Sequence, residues 1–391
     1  MHKKLGVPVL MFHSIRPEGM IDSPLSVPLK VFTRNMEALV QRGYKTITMQ
    51  ELYNYVSGTV DLPEKVVVLT FDDGFLDNWI YVFPVLKELG LKAVIFPTID
   101  FIGDGPQREY YRYPEKGSLP ECRGSVRWSE LQEMHDSSVF DVQSHTMTHT
   151  WLFSGPGIVD IFNGKNMHKW LAWNLHPEKK SVIFDKDSSG LVPLGYPVFE
   201  NGRALGVREF IPDKAFVDEL SGRFAARKEA GDIDSSSWKL ELEQYKNEWI
   251  KDHGSIGRLE TVKEQQDRII TELCTSRSIL EKKLNKEVKF LCWPGGARSE
   301  IAKSLTGECG YIATTERGTN VNKPGENPAR IRRMGSFSLW TYKGLRGWIG
   351  PRYFVELLER YKGNARSAVL CKIYKVGYIL GALLRRTRSN R

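Results

Sequence analysis

The chain has 391 residues, 41% hydrophobic and 26% charged, with a formal net charge of +9. This composition excludes a disordered or coiled-coil protein and allows two or three domains, or one large α/β barrel with an insertion. Eight of the positive charges, Lys362, Arg366, Lys372, Lys375, Arg385, Arg386, Arg388 and Arg391, follow Tyr361 with no acid among them. The body is then nearly neutral, which argues against a nucleic-acid partner.

In chain order, MHKKLGVPVLMFHSI carries two lysines and a short apolar run broken by Pro8, with no small-residue cleavage site after it. A secretory signal peptide is therefore not expected. VPVLMF reads as a strand, VFTRNMEALVQRG as a helix closed by Gly43, and KVVVLTF as a second strand. NWIYVFPVLKELG reads as a helix capped by Gly90, and LKAVIFP as a third strand. Such alternation implies a parallel sheet or barrel with its working residues at strand C-termini. Asp72 and Asp73 stand at such an end, where burial makes two adjacent charges costly.

WSELQEMH has a capping-box spacing from Ser129 to Gln132, and VFDVQ is a strand running into SHTMTH. His145 and His149 face one point if that segment begins a helix. After Trp151 the alternation stops for about a hundred residues, as an insertion would make it. Its second helical pattern sets Trp238, Leu242, Tyr245 and Trp249 on one face, a packing stripe. The rhythm resumes with TVKEQQDRIITELCTSRSILEKKL as a long helix, the strand EVKFLCW, a PGG turn, a helix from about Arg298 to Leu305 and the strand YIATT.

The five cysteines, Cys122, Cys274, Cys292, Cys309 and Cys371, are odd in number, widely spaced and without a CxxC pair. They read as free thiols of a reducing compartment. The C-terminal stretch AVLCKIYKVGYILGALL, flanked by basic residues, is apolar enough for a membrane interface but interrupted by Lys372 and Lys375. It reads equally as a solvated tail or as a contact with an anionic membrane surface.

Two histidines after one strand and a carboxylate at the end of another make a ligand set that leaves positions open on a divalent cation. One aspartate is then neutralised by the metal, and its neighbour is placed to take a proton from water. The amides of Gly295 and Gly296 in the PGG turn are candidate oxyanion donors.

TFDDG, SHTMTH and CWPGG, in this order and spacing and with LKAVIFP and WSELQEM beside them, resemble the first three motifs of the polysaccharide deacetylases, the carbohydrate esterase family 4 or NodB-homology domain. The resemblance covers about Val7 to Trp151 and Thr261 to Thr315. It implies a distorted (β/α)7-type barrel with Asp72 as catalytic base, Asp73, His145 and His149 as metal ligands, and Gly295 as oxyanion donor. Family members often have Arg two residues before the third-motif proline, where this chain has Cys292. The family's acid histidine lies in a C-terminal motif, yet no histidine follows His253. VPVLMFHSI is similar to the opening of the circularly permuted branch that includes the poly-N-acetylglucosamine deacetylases, and that likeness makes His13 the general acid.

The expectations are a NodB-like α/β barrel at 1–151 and 257–345, an inserted cap at 152–256 that sets the substrate, and a basic tail at 346–391. The expected activity is metal-dependent hydrolysis of the N-acetyl group of an amino sugar, free or lipid-linked, with zinc as the first choice of metal and cobalt, nickel or iron as alternatives. The expected location is cytoplasmic, at the inner face of the membrane. A deformylase, another amide hydrolase on a lipid-linked sugar, or an inactive glycan-binding module are the alternatives. A two-His, one-carboxylate iron oxygenase fits the alternating scaffold less well.

Overall fold

The computed structural model describes residues 5–21, 23–113, 119–165, 168–184, 186–229, 237–335 and 349–389. The chain forms two compact units, one of Met1–His145, Arg277–Gly296 and Tyr311–Arg391, the other of Thr146–Ser276 and Ala297–Gly310.

The first unit is built on eight strands: β1 (Val9–Phe12), β2 (Lys45–Thr46), β3 (Val66–Asp73), β4 (Ala93–Pro97), β5 (Phe140–Val142), β6 (Phe290–Leu291), β7 (Ala313–Arg317) and β8 (Arg330–Gly335). Their order is β6-β7-β8-β1-β3-β4-β5, with β2 added beside β3, and every pairing is parallel. All eight residues of β3 are buried, as in a parallel strand covered on both faces. A single bridge between Ser144 and Leu291 joins the two edges of the sheet. The Ser144 N–H donates to the Phe290 carbonyl at 3.2 Å and the Cys292 N–H to the Ser144 carbonyl at 2.9 Å. This closure is what the (β/α)7-type expectation requires, and it puts the residues after β5 and β6 side by side.

Helices form where apolar residues recur at helical spacing. Leu29–Gln41 buries Phe32, Met36 and Leu39, one face repeated at every turn. The helix at Trp128–Asp136 starts two residues earlier than the Ser129 cap implies. Arg127 is its N-cap, and the Arg127 N–H donates to the Glu130 carboxylate at 2.8 Å. Gln132 is instead bonded to Asp136 at 2.9 Å. Part of the expected tail is folded structure: Pro351–Tyr361 is a helix that buries Phe354, Leu357 and Leu358 and packs on Leu29–Gln41. Lys362 donates to the Glu64 carbonyl at 2.6 Å.

In the second unit Trp151–Ile161 pairs antiparallel with Pro197–Arg203. Helices Lys214–Glu229 and Ser237–His253 close over a core of Phe199, Phe216, Leu220, Leu242, Tyr245 and Trp249. The aromatic stripe is thus packing, although the side chain of Trp238 lies outside those described. This unit begins at Thr146 and takes in 257–276 and 297–310, wider than the insertion at 152–256. One reason is covalent. Cys274 and Cys309 form a disulfide with their Cα atoms 4.8 Å apart.

The disulfide corrects the expectation that all cysteines are free thiols and removes the cysteine argument for a reducing compartment. Their separation of 35 residues carries no sequence signal, because only the packing of two helices brings them together. Cys122, Cys292 and Cys371 are free and buried. Non-reducing peptide mapping should recover a Cys274–Cys309 cross-link, and Cys274→Ser/Cys309→Ser should lose about 2–4 kcal/mol of stability in urea titrations under oxidising conditions.

Candidate active site

The site forms at the carboxyl end of the barrel strands, starting from Asp72 and Asp73. Asp72 continues β3 in register with Phe96, whereas Asp73 has φ of 71°, a left-handed conformation costly for a residue with a Cβ. That break ends the strand alternation. Gly74 follows with φ of +79°, and a Cβ there would stand 3.0 Å from the Pro97 side chain, so the motif needs glycine at this position. Asp72 and Asp73 are 3% and 6% exposed.

Asp72 is held by a residue that the sequence motifs do not mark. Arg333, in β8, donates through Nη1 to Oδ1 at 2.6 Å and through Nη2 to Oδ2 at 2.8 Å, a bidentate pair across the neighbouring strand β1. Its Nη2 also lies 2.9 Å from Cys292 Sγ, and Nη1 lies 3.2 Å from Thr70 Oγ1. An arginine from β8 thus contacts both the aspartate and the cysteine that stands where relatives have Arg. The signal was present: Arg333 alternates with Ile331 on a buried face, and an arginine there calls for a carboxylate partner. Burial alone would raise the Asp72 carboxyl, but the charge and hydrogen bonds of Arg333, with His145 and His13 nearby, hold it below the ordinary range.

His13 follows β1, and its Nε2 is 3.8 Å from Asp72 Oδ2. Its loop is fixed by Asp77, fully buried, which accepts from Ser14 Oγ at 2.6 Å, the Ile15 N–H at 3.0 Å and Arg16 Nε at 3.1 Å. Asn78 Nδ2 donates to the His13 carbonyl at 2.9 Å. Burial pushes the Asp77 carboxyl up to about 6 even with Arg16 beside it. Neither Asp77 nor Asn78 was read from the sequence, where they look like the start of a helix.

His145 leaves β5 at the barrel seam. Its Nδ1 is 2.8 Å from the Cys292 carbonyl, which makes Nδ1 the donor and leaves Nε2, 3.2 Å from Asp73 Oδ1, to face the carboxylate. A metal-ligating imidazole is oriented in the same way, by donating its other nitrogen to a carbonyl. Burial works against the imidazolium, yet Cys292, Asp73 and Asp72 outweigh it and hold the His145 pKa well above the ordinary histidine range. The same negative surroundings favour a cation.

Asp73, His145 and His149 each offer a ligand atom, all within 4.8 Å of one another. Two imidazoles and a carboxylate suit zinc and the neighbouring divalent ions. The helix expected for SHTMTH is absent. The segment is a loop in which Thr146 has φ of 68° and His149 φ of 48°, so two left-handed residues, not a helical turn, bring the second histidine round.

Gly295 has φ of 55° in an exposed turn after Cys292 and Trp293. The Gly296 N–H donates to the Trp293 carbonyl at 2.9 Å, so of the two candidate oxyanion amides Gly296 is committed to the turn and Gly295 remains.

Breaking the Asp72–Arg333 pair has a signed pH dependence. Because the folded Asp72 pKa lies below the ordinary aspartate range, its contribution to stability is present above that range and lost as pH falls through the folded value. Arg333→Met should lose about 3–5 kcal/mol near neutral pH. The gap from wild type should narrow in urea titrations carried into acid.

Residues 59–178 match the family described as Polysaccharide deacetylase. The chain is similar to YxkH of Bacillus subtilis (strain 168), whose name places it among the polysaccharide deacetylases, with 33% identity over 147 residues, 38% of this chain and 44% of the relative. It is also similar to the poly-beta-1,6-N-acetyl-D-glucosamine N-deacetylase of Escherichia coli (strain K12), with 26% identity over 141 residues, 36% of this chain and 20% of that one. It thus spans less than half the length of both relatives. Among solved structures, a de-N-acetylase from Aggregatibacter actinomycetemcomitans shares the fold with a TM-score of 0.51 and 18% identity, over 84% of this chain and 94% of that one. Over residues 59–178 the chain is thus similar to the polysaccharide deacetylases, and its parallel α/β barrel is the fold of a solved de-N-acetylase.

Proposed function

We propose that this protein is a metal-dependent N-deacetylase that hydrolyses the N-acetyl group of an amino sugar in a glycan. The observation that carries this is the division of labour between adjacent carboxylates. Asp73 lies with His145 and His149 in a ligand set, while Asp72 is bound bidentately by Arg333 and faces His13 at 3.8 Å. A binding module has no need of a base and an acid beside a ligand set. The N-acetylated substrate is supported by the named activity of the Escherichia coli relative.

Asp73, His145 and His149 would hold a divalent cation, zinc first, which would supply Lewis acidity toward water and the amide carbonyl. Asp72 accepts the proton of the water as its oxygen bonds the acetyl carbon, and Arg333 keeps that carboxylate ionised and aimed. The Gly295 N–H donates to the oxyanion of the tetrahedral intermediate. The C–N bond then breaks as His13 gives a proton to the sugar nitrogen, leaving acetate and a free amine.

The finer part of the proposal concerns location. In the helix Ala365–Ser389, whose side chains are described to Ile379, Val369, Ile373 and Val376 share one face and are 56%, 59% and 55% exposed. Exposed Arg366 flanks that stripe on one side and Lys372 and Lys375 on the other. Among the described residues no helix is long and apolar enough to cross a membrane. In this proposal the exposed apolar stripe and its flanking cations rest on an anionic lipid surface, which would bring the site to a lipid-linked or membrane-proximal sugar.

Acetate release from a panel of N-acetylated oligosaccharides should depend on added zinc or cobalt and stop with chelator. Asp72→Asn should lower kcat at least 10²-fold, and His13→Gln about 10²–10⁴-fold, with KM little changed. No release from any acetylated substrate by metal-loaded wild type would sink the deacetylase assignment and turn the search to formyl or cyclic amides. In flotation, the protein should rise with vesicles containing phosphatidylserine but not with neutral ones, and Val369→Asp/Ile373→Asp should leave it in the soluble fraction.

A further inference from the structure

The loop from His145 to Thr150 holds no regular structure, and Thr146 and His149 sit in left-handed backbone at roughly 1–3 kcal/mol each. Such strain persists only where surrounding contacts over-determine it. The two residues between them, Met147 and Thr148, are tied to one distant side chain. The Met147 N–H donates to Glu272 Oε2 at 3.0 Å and the Thr148 N–H to the same oxygen at 3.1 Å, while the Thr148 hydroxyl donates to Oε1.

Glu272 is 4% exposed. Among the described residues no lysine or arginine pairs with it, although a buried carboxylate without compensation is costly. Its compensation is the loop: three donors converge on one charged acceptor. The support is rigid in turn. Glu272 lies in the π turn Thr271–Thr275 between helices Val262–Ile270 and Ser276–Leu284, the kind of helix bulge that recurs at functional sites. Ser276 Oγ donates to the Glu272 carbonyl at 2.6 Å, and the disulfide of Cys274 anchors the turn two residues on.

We infer that Glu272 is a positioning residue for His149, holding Met147 and Thr148 between the two strained residues so that the imidazole is presented to the cation. The inference rests on the metal-centre part of the proposed function. A glutamate more than a hundred residues away, clamping backbone and not the imidazole, thereby sets how tightly the metal is bound.

The test uses cobalt(II) added to the chelator-stripped full-length protein, read by its visible absorption spectrum and by competition with a chromogenic chelator. Glu272→Gln puts an N–H against the loop donors. It should weaken cobalt binding about 10–100-fold and change the band positions and intensities that report coordination. Thr148→Val removes one of the three donors and should give a smaller loss, and adding it to Glu272→Gln should cost little more. Glu272→Asp, which keeps the charge, should recover part of the affinity. Wild-type affinity and spectrum in Glu272→Gln would overturn the inference. Should that variant fail to fold, Thr148→Val decides: unchanged cobalt binding overturns the role and weakened binding supports it. If wild type binds no cobalt, or binds it equally well as His149→Ala, the metal-centre reading itself fails and takes this inference with it.

Discussion

A buried carboxylate that must stay ionised and yet accept a proton is the constraint around which the barrel is arranged. Asp72 meets it through the two parallel hydrogen bonds of Arg333. The fork fixes the carboxylate plane, and its charge offsets what burial in a parallel sheet costs. Both partners lie on strands that flank β1, so the pair spans the strand that leads to His13. Asp72, Arg333 and the approach to His13 are set by three neighbouring strands, which are more rigid supports than loops.

The ligand side is built differently. Asp73 and His149 occupy left-handed backbone, and the barrel seam places His145 against the Cys292 carbonyl. Regular strand geometry carries Asp72 and Arg333, while left-handed residues set the directions of Asp73 and His149, which no regular strand or helix would give. Strain at a functional loop is tolerated because other contacts determine it. Here one such contact is the Glu272 carboxylate.

Much of this was legible. The alternation of VPVLMF, KVVVLTF and LKAVIFP with amphipathic helices gave the parallel sheet, and Asp72, Asp73, His145 and His149 stood out because charged or imidazole side chains at strand ends are costly without a use. What could not be read shares one physical character, dependence on long-range closure. Arg333 meets Asp72 only once β8 lies beside β1, and Cys274 meets Cys309 only when two helices of the second unit pack. The shape of the SHTMTH loop failed for a local reason. Histidines four apart suggest a helical turn, nothing in Thr146 announces a positive φ, and the enrichment of histidine there is too weak a signal to place His149.

The position of β1 has a consequence for how the molecule folds. It is the first strand of the sheet in sequence and is central in space, with Leu10 beside Leu69 on one edge and beside Met334 on the other. As the chain emerges from its N-terminus, one edge of β1 acquires a partner early, while the other stays open until nearly the whole barrel has been made. Contacts of such high sequence separation slow the search for the native state, and an unpaired apolar strand edge invites wrong partners in the meantime. The zipping of β8 onto β1 is also the step that brings Arg333 to Asp72, so covering the second edge of β1 and neutralising the buried charge are one event.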